Sequence, residues 1–258
     1  MIVQLPEITE KKIQTIDGIE IKDKKAIVRI DTGAVLGVVG DNYRIVRHQE
    51  VINSVSSILG DLGLEEKTRT ICKQGSVLFS KFYSDKKYEG EIKVGDIVKF
   101  GIEVFNSYNG TLPVGIILIA ERLKCTNGMV VPETLSKFTV RHSNRLNLEV
   151  IKQRMKSILE GYPLILENYR QWETIKVEES RVQKFFEDNF GNRLQKNLFE
   201  IYIAEKEGNS IWDLYNVLTY WNTHELKTKK NNQENIRLLQ WNKELDFTVK
   251  LQELVNSN

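Results

Sequence analysis

Residues 94–129 read VGDIVKFGIEVFNSYNGTLPVGIILIAERLKCTNGM. Between Val98 and Val104 an apolar residue stands at every second position, which is the period of a half-buried strand. A second apolar run begins at Leu112, and Asn109-Gly110 lies between the two runs. Asn-Gly is the strongest signal for a two-residue hairpin turn of type I′, in which both central residues need a positive φ. The stretch therefore predicts a long hairpin around which a sheet is built.

The remainder of residues 1–146 has strand periodicity that is interrupted by one helical segment. Asp17-Gly18 predicts a second hairpin between two alternating runs. Apolar residues at helical spacing predict a helix from Gln49 to Gly60. Further strands are predicted at residues 25–30, 34–39, 42–46, 65–72 and 76–83. Short connections of this kind favour a largely antiparallel, twisted sheet with one inserted helix.

After Met129 the pattern becomes helical, and we predict a helical region over residues 147–258. One helix is predicted from Leu148 up to Gly161-Tyr162-Pro163, and others are predicted at residues 180–190, 194–206, 211–222 and 235–254. Ser210 stands three positions before Asp213, which is the spacing of a capping box. The fold class is therefore α+β. The β-rich part, 1–146, includes the hairpin 94–129, and the helical part packs on or beside it as a separate or an integrated domain.

The composition restricts the class of protein. The 258 residues contain 37 Lys and Arg against 35 Asp and Glu, so a nucleic-acid surface requires local clustering of charge. The two cysteines, Cys72 and Cys125, are too few for a secreted disulfide scaffold and are expected to be reduced thiols. We see no signal peptide and no apolar run of about 20 residues. We therefore expect a cytoplasmic protein of the host cell, without a membrane partner.

The sequence contains no recognised catalytic motif. The phosphate-loop pattern, GxGxxG, GxSxG and HExxH are all absent from it. None of the three histidines has a second His or a Cys at metal-ligand spacing. We therefore expect no cofactor, no metal and no catalytic residue, although scattered carboxylates keep a hydrolase as a third hypothesis and leave the enzyme question open.

The strongest functional signal is a basic cluster at residues 135–157, which contains six basic residues and one acidic residue, Glu149. Basic side chains beside Asn, Ser and Tyr are typical of a surface that tracks phosphates. The candidate nucleic-acid-binding residues are Arg44, Arg47, Tyr108, Arg122, Lys124, Asn127, Lys137, Arg141, His142 and Arg145. The alternative is a solvated face whose charges pair with nearby acids such as Glu160 and Glu167.

Aromatic residues fall into two groups. Tyr43, Tyr108 and Phe138 accompany the basic residues and are candidates for stacking on bases. Trp212 and Tyr215 stand at i, i+3 spacing in a predicted helix, which favours packing in the core.

Six short segments also resemble a known family. They read, in chain order, NYRIVRHQE at 42–50, NSYNG at 106–110, CTNGM at 125–129, RH at 141–142, WDLYN at 212–216 and TH at 223–224. This set resembles the phage- and plasmid-borne family known as domain of unknown function 932. The resemblance implies a mobile-element origin, in which proteins of this size often handle DNA, and it implies no catalytic residue. The layout of sheet and helices also resembles that of single-strand annealing proteins.

Two main functional hypotheses follow. The first is a non-enzymatic nucleic-acid-binding protein of a phage or plasmid, which binds or anneals single-stranded DNA in replication or recombination and is compatible with a homo-oligomer. The second is a protein-binding module that inhibits or regulates a host factor, such as a defence protein. A continuous basic groove favours the first hypothesis, and dispersed charge favours the second.

Overall fold

The structure is a computed structural model that describes residues 3–123, 127–130, 137–226 and 236–256. The strands are β1 (Ile8–Gln14), β2 (Glu20–Arg29), β3 (Val35–Gly40), β4 (Glu65–Cys72), β5 (Val77–Tyr83), β6 (Glu89–Lys93), β7 (Asp96–Ser107), β8 (Val114–Arg122), β9 (Asn127–Val130) and β10 (Lys137–Val140). The α-helices are α1 (His48–Asp61), α2 (Leu148–Glu160), α3 (Tyr162–Thr174), α4 (Glu179–Asn189), α5 (Asn192–Glu205), α6 (Ile211–Tyr220) and α7 (Ile236–Asn256).

The strands form two antiparallel sheets in the part of the chain that the structure describes. The large sheet has the order β10-β8-β7-β5-β4, with β6 paired to β7 and β9 paired to β8. The small sheet has the order β1-β2-β3. The prediction of an α+β fold, with one helix inserted in a β-rich first half and a helical second half, is confirmed.

The predicted long hairpin is formed by β7 and β8, in which Val98 lies opposite Arg122 and Phe105 lies opposite Gly115. The prediction of a two-residue type I′ turn is wrong, because residues 108–113 form a longer connection. Gly110 has a φ of 72°, and Asn109 is not among the residues with positive φ. Asn109 instead uses its Oδ1 to accept the Thr111 amide at 3.1 Å, so its side chain stabilises the loop.

The helical half packs on one face of the large sheet. Phe100 of β7, Met155 of α2 and Trp212 of α6 belong to the same cluster of buried apolar side chains. The apolar interior is therefore continuous between the sheet and the helices. Trp212 and Tyr215 are fully buried, which agrees with the prediction that they are core residues.

Ser210 and Asp213 form the predicted capping box at the start of α6. Ser210 Oγ accepts the Asp213 amide at 3.1 Å, and Asp213 Oδ2 accepts the Ser210 amide at 3.0 Å. One other local prediction is wrong, because residues 42–46 lie outside the strands. Helix α3 has no counterpart in the prediction: Pro163 stands in its first turn, where proline is favoured, and does not end the helical region.

The small sheet packs closely against the loop of the β7–β8 hairpin. Tyr108 belongs to a buried cluster with Ile27 of β2 and Leu36 of β3. A Cβ atom on Gly37 would come within 2.6 Å of Asn109 Cα, so glycine permits the contact of strand and loop. Cys72 is a buried thiol at the end of β4, and Cys125 lies outside the described residues.

Within the described ranges, none of the helices combines the length and the apolar character that a membrane crossing requires.

We predict that Gly110→Ala lowers the free energy of unfolding by about 1–2 kcal/mol, because an L-residue is strained at positive φ. The control is Gly60→Ala in α1, where an added Cβ meets no atom within 4 Å. That variant should instead gain about 0.5–1 kcal/mol, because alanine is the better helix former. Chemical denaturation measures both values, and equal stability of Gly110→Ala and the parent would contradict the strain at this loop.

Candidate nucleic-acid interface

Three sequence segments meet beside the loop of the β7–β8 hairpin: residues 43–48, 106–110 and 141–146. Asn106 Nδ2 donates to the Val46 carbonyl at 2.9 Å, which holds the first segment to the end of β7. Tyr43 Oη donates to the Ser107 carbonyl at 2.8 Å. These contacts fix an irregular stretch of backbone that pairs with none of the strands in the described residues.

His48 lies fully buried at the centre of this junction. Its Nε2 is 3.0 Å from the Gly75 carbonyl oxygen, and its Nδ1 is 2.9 Å from Asn106 Nδ2. Since a carbonyl can only accept, these contacts assign the proton to Nε2 and the accepting lone pair to Nδ1. Burial lowers the pKa of His48 to about 3. The imidazole is therefore a neutral structural group at physiological pH.

Arg44 and residues 141–146 are joined by direct contacts. Arg44 Nη1 donates to the Leu146 carbonyl at 2.7 Å. His142 Nδ1 lies 3.0 Å from the Arg44 carbonyl oxygen, and its ring stacks on Tyr43 with 4.5 Å between centroids. Burial lowers the pKa of His142. The structure thus brings together Arg44, Arg141, His142 and Arg145, which we call the arginine surface.

The guanidinium groups of this surface are available to a ligand. Arg44, Arg141 and Arg145 are exposed, and none of them forms an ion pair with a carboxylate of the described residues. Arg47, three residues after Arg44, is also exposed and has no such partner. A guanidinium carries five N–H donors, so the bond from Arg44 to Leu146 leaves most of its donors unused.

The remaining part of the basic cluster fits the alternative of a solvated face. On α2, Lys152 pairs with Glu149 at 3.0 Å and Lys156 pairs with Glu160 at 3.7 Å. Arg154 lies 5.8 Å from the centroid of the Phe138 ring. The cluster therefore separates into Lys152 and Lys156, which pair with acids of α2, and Arg141, Arg145 and Arg154, for which the described residues provide no carboxylate partner.

The prediction that Arg122 contributes to the same surface is wrong. Its side chain is 3% exposed, and its Nε donates to Asp96 Oδ1 at 2.6 Å. Its Nη2 donates to Asp96 Oδ2 at 2.8 Å and to Glu207 Oε2 at 3.0 Å. Trp212 Nε1 also donates to Asp96, at 2.8 Å. Arg122 therefore stabilises the junction between the hairpin and α6 and is unavailable to phosphate.

Two of the other predicted site residues, Tyr108 and Lys137, lie against aromatic rings. Tyr108 is 1% exposed and stacks on His48, so its ring faces are closed to a base. Lys137 Nζ lies 5.9 Å from the Phe105 ring, and burial lowers the pKa of this lysine. Lys124 and the side chain of Asn127 are outside the described part of the chain.

Within the described ranges the structure shows no group of three or more His, Cys, Asp or Glu side chains that could hold a metal ion.

The polar junctions around His48 and Asp96 could not be predicted from the sequence. Their members are separated by 58 residues (His48 and Asn106) and by 116 residues (Asp96 and Trp212). The available signal was that His48, Asn106 and Trp212 all belong to the six short segments that resemble a known family.

We predict that Asp96→Ala lowers the free energy of unfolding by about 3–5 kcal/mol, because it leaves a buried guanidinium without its main counterion. The control is Lys156→Ala, which removes an exposed ion pair and should cost about 0–1 kcal/mol. Urea denaturation of both variants measures the difference. Similar small losses in the two variants would show that Arg122 reaches water.

We predict that His48 makes stability depend on pH. An unfolded histidine has a pKa of about 6.5, whereas the folded pKa of His48 is about 3. Between these values the unfolded state binds more protons, so the stability from His48 is present above pH 6.5 and is lost as the pH falls towards 3. Denaturation at several pH values should show a weaker dependence in His48→Gln. Exposed His224→Asn is the control, and an identical dependence in His48→Gln and the parent would contradict the prediction.

The model of one protein family matches most of the chain. The family model described as domain of unknown function (DUF932) matches residues 35–241, a range that contains the arginine surface and the junctions around His48 and Asp96. No curated protein and no solved structure matches the chain. Because the match extends over more than half of the chain, the protein belongs to the family of domain of unknown function 932.

Proposed function

We propose that the protein binds nucleic acid, with single-stranded DNA as the favoured ligand, and that it does so without catalysing a reaction. The observation that carries the proposal is the grouping of Arg44, Arg141 and Arg145, exposed and without carboxylate partners among the described residues. Arg47 extends this positive charge along the chain. Guanidinium groups match phosphate oxygens in geometry and charge.

The way in which the arginines are held supports binding. Their backbone is fixed by the bond from Arg44 to Leu146 and by the contact of His142 with the Arg44 carbonyl. A preformed surface loses less conformational entropy on association than a mobile one. The overall charge of +2 supplies little attraction, so binding depends on these local contacts and should weaken steeply with salt.

The proposal includes a phage or plasmid origin and a role in replication or recombination. These parts rest on the family resemblance and not on a contact in the fold. Annealing of complementary strands is one activity consistent with binding through phosphates, because such binding leaves base edges accessible.

We predict that Arg141→Ala/Arg145→Ala weakens oligonucleotide binding and reduces the slope of log affinity against log salt by about one unit for each lost phosphate contact. Its melting temperature should stay close to that of the parent, since exposed substitutions usually change stability by less than about 0.5 kcal/mol. Fluorescence anisotropy with a labelled single strand, at several salt concentrations, measures both affinity and slope.

The matched control is Lys152→Ala/Lys156→Ala, which removes two basic residues that pair with acids on their own helix. This variant should keep the parental salt slope. If the parent shows no binding at low salt, the proposed function is wrong. If the arginine and lysine variants lose affinity equally, the ligand recognises diffuse charge and not the arginine surface.

A second candidate function, protein binding, is favoured by exposed apolar side chains on the small sheet. Ile16 and Ile19 lie at the turn between β1 and β2 and are 105% and 66% exposed, while Val35 and Val38 of β3 are more than half exposed. If this sheet binds a regulatory target, a pull-down from host extract should recover one host protein in stoichiometric amount. Ile16→Ser/Ile19→Ser should abolish its recovery. The Arg141→Ala/Arg145→Ala variant should retain that capture.

A further inference from the structure

A cavity of about 470 Å³ opens between the segment that leads into β1 and the first turn of α1. Pro6, Ile8 and Ile30 form its apolar wall, and Arg47 and Gln49 line its polar side. A volume of this size is typical of a pocket that holds a small ligand or one group of a larger ligand.

The apolar wall is held in place by the fold and remains accessible at its rim. Ile8 is 5% exposed, whereas Ile30 is 57% exposed. The Pro6 ring packs against Gly75, where an added Cβ would lie 2.9 Å from Pro6 Cγ. The Gly75 carbonyl contacts the buried His48, so this wall is connected to the junction that also positions the arginine surface.

Arg47 provides a positive charge at the polar side of the cavity. It is exposed and has no carboxylate partner among the described residues. Arg47 and Arg44 are three residues apart on one irregular segment, so their Cα atoms are at most about 11 Å apart. A flexible strand that contacts the arginine surface at Arg44 can therefore continue into the cavity.

The cavity combines the features that a nucleotide needs. The faces of a base are largely apolar and fit the wall of Pro6, Ile8 and Ile30. Glu7, which also lines the cavity, can accept a hydrogen bond from an exocyclic amino group, as carboxylates do from cytosine. Arg47 is placed for the phosphate that carries the base. The carboxylate of Glu7 would repel a second phosphate, which favours one nucleotide over a free polyphosphate.

We propose that this cavity holds one unstacked base of the nucleic-acid strand that binds along the arginine surface. The inference rests on the proposed function and adds a structural reason for preferring single strands. A base inside a duplex is paired and stacked, so it must first be extruded at a cost of a few kcal/mol. A strand that lacks bases would keep the phosphate contacts and lose the contacts in the cavity.

The test uses fluorescence anisotropy with three labelled probes: a single-stranded DNA oligonucleotide, the same strand with abasic sites, and the matched duplex. The parent protein should bind the intact strand about tenfold more tightly than the abasic strand, which is within the range for burying a base. Ile30→Gln replaces an apolar part of the cavity wall with a polar amide that does not stack on bases. It should reduce this difference while the salt slope stays parental, because the phosphate contacts remain.

Ile203→Gln is the matched control, since Ile203 is 47% exposed on α5 and away from the cavity lining. This variant should keep the preference for the intact strand. If Ile30→Gln lowers the melting temperature, Glu7→Ala removes the carboxylate acceptor of the same cavity and replaces it in the test.

The outcomes separate the two proposals. Equal affinity of the parent for intact and abasic strands overturns the base pocket and leaves binding at the arginine surface in place. A preference that survives both Ile30→Gln and Glu7→Ala also overturns it. Absence of binding to every probe at low salt overturns the proposed function and the base pocket together.

Discussion

From Phe100 onward strand β7 is buried on both faces, so the polar side chains at its two ends need partners away from water. At its start Asp96 accepts from Arg122 and Trp212, which joins the hairpin to α6. At its end Asn106 donates to the Val46 carbonyl, which joins the hairpin to the segment that carries Arg44. One buried strand therefore positions both the helical half and the proposed binding surface.

Features determined by neighbouring residues could be predicted from the sequence. The β7–β8 hairpin, helix α1 and the capping box of Ser210 depend on periodicity or on residues three positions apart. Features determined by distant residues could not. Arg122 follows an apolar run, so the sequence suggested that its charge lies in solvent. Its counterion Asp96 comes beside it only when β7 pairs with β8. Residues 42–46 have a strand-like composition, but side-chain bonds replace a partner strand.

Only part of the candidate site could be predicted from the sequence, for a similar reason. The composition identified Arg44, Arg141 and Arg145, and the contact between Arg44 and Leu146, 102 residues apart, brings them together. The sequence does show Lys152 and Lys156 at helical spacing from Glu149 and Glu160, but whether a distant acid lies beside the arginines depends on the fold. Neutral His48 beneath the surface adds no charge of its own, so the fold supplies rigidity there and the arginines supply the charge.

The bond between Asp96 and Trp212 also has a consequence for synthesis of the chain on the ribosome. The two residues are 116 positions apart, and translation proceeds at about 5–20 residues per second. Strand β7 therefore emerges about 6–23 s before α6 can cover it. During that interval the apolar side chains that later pack against α6 lack this cover, which makes the nascent protein a substrate for chaperones that bind exposed apolar surface.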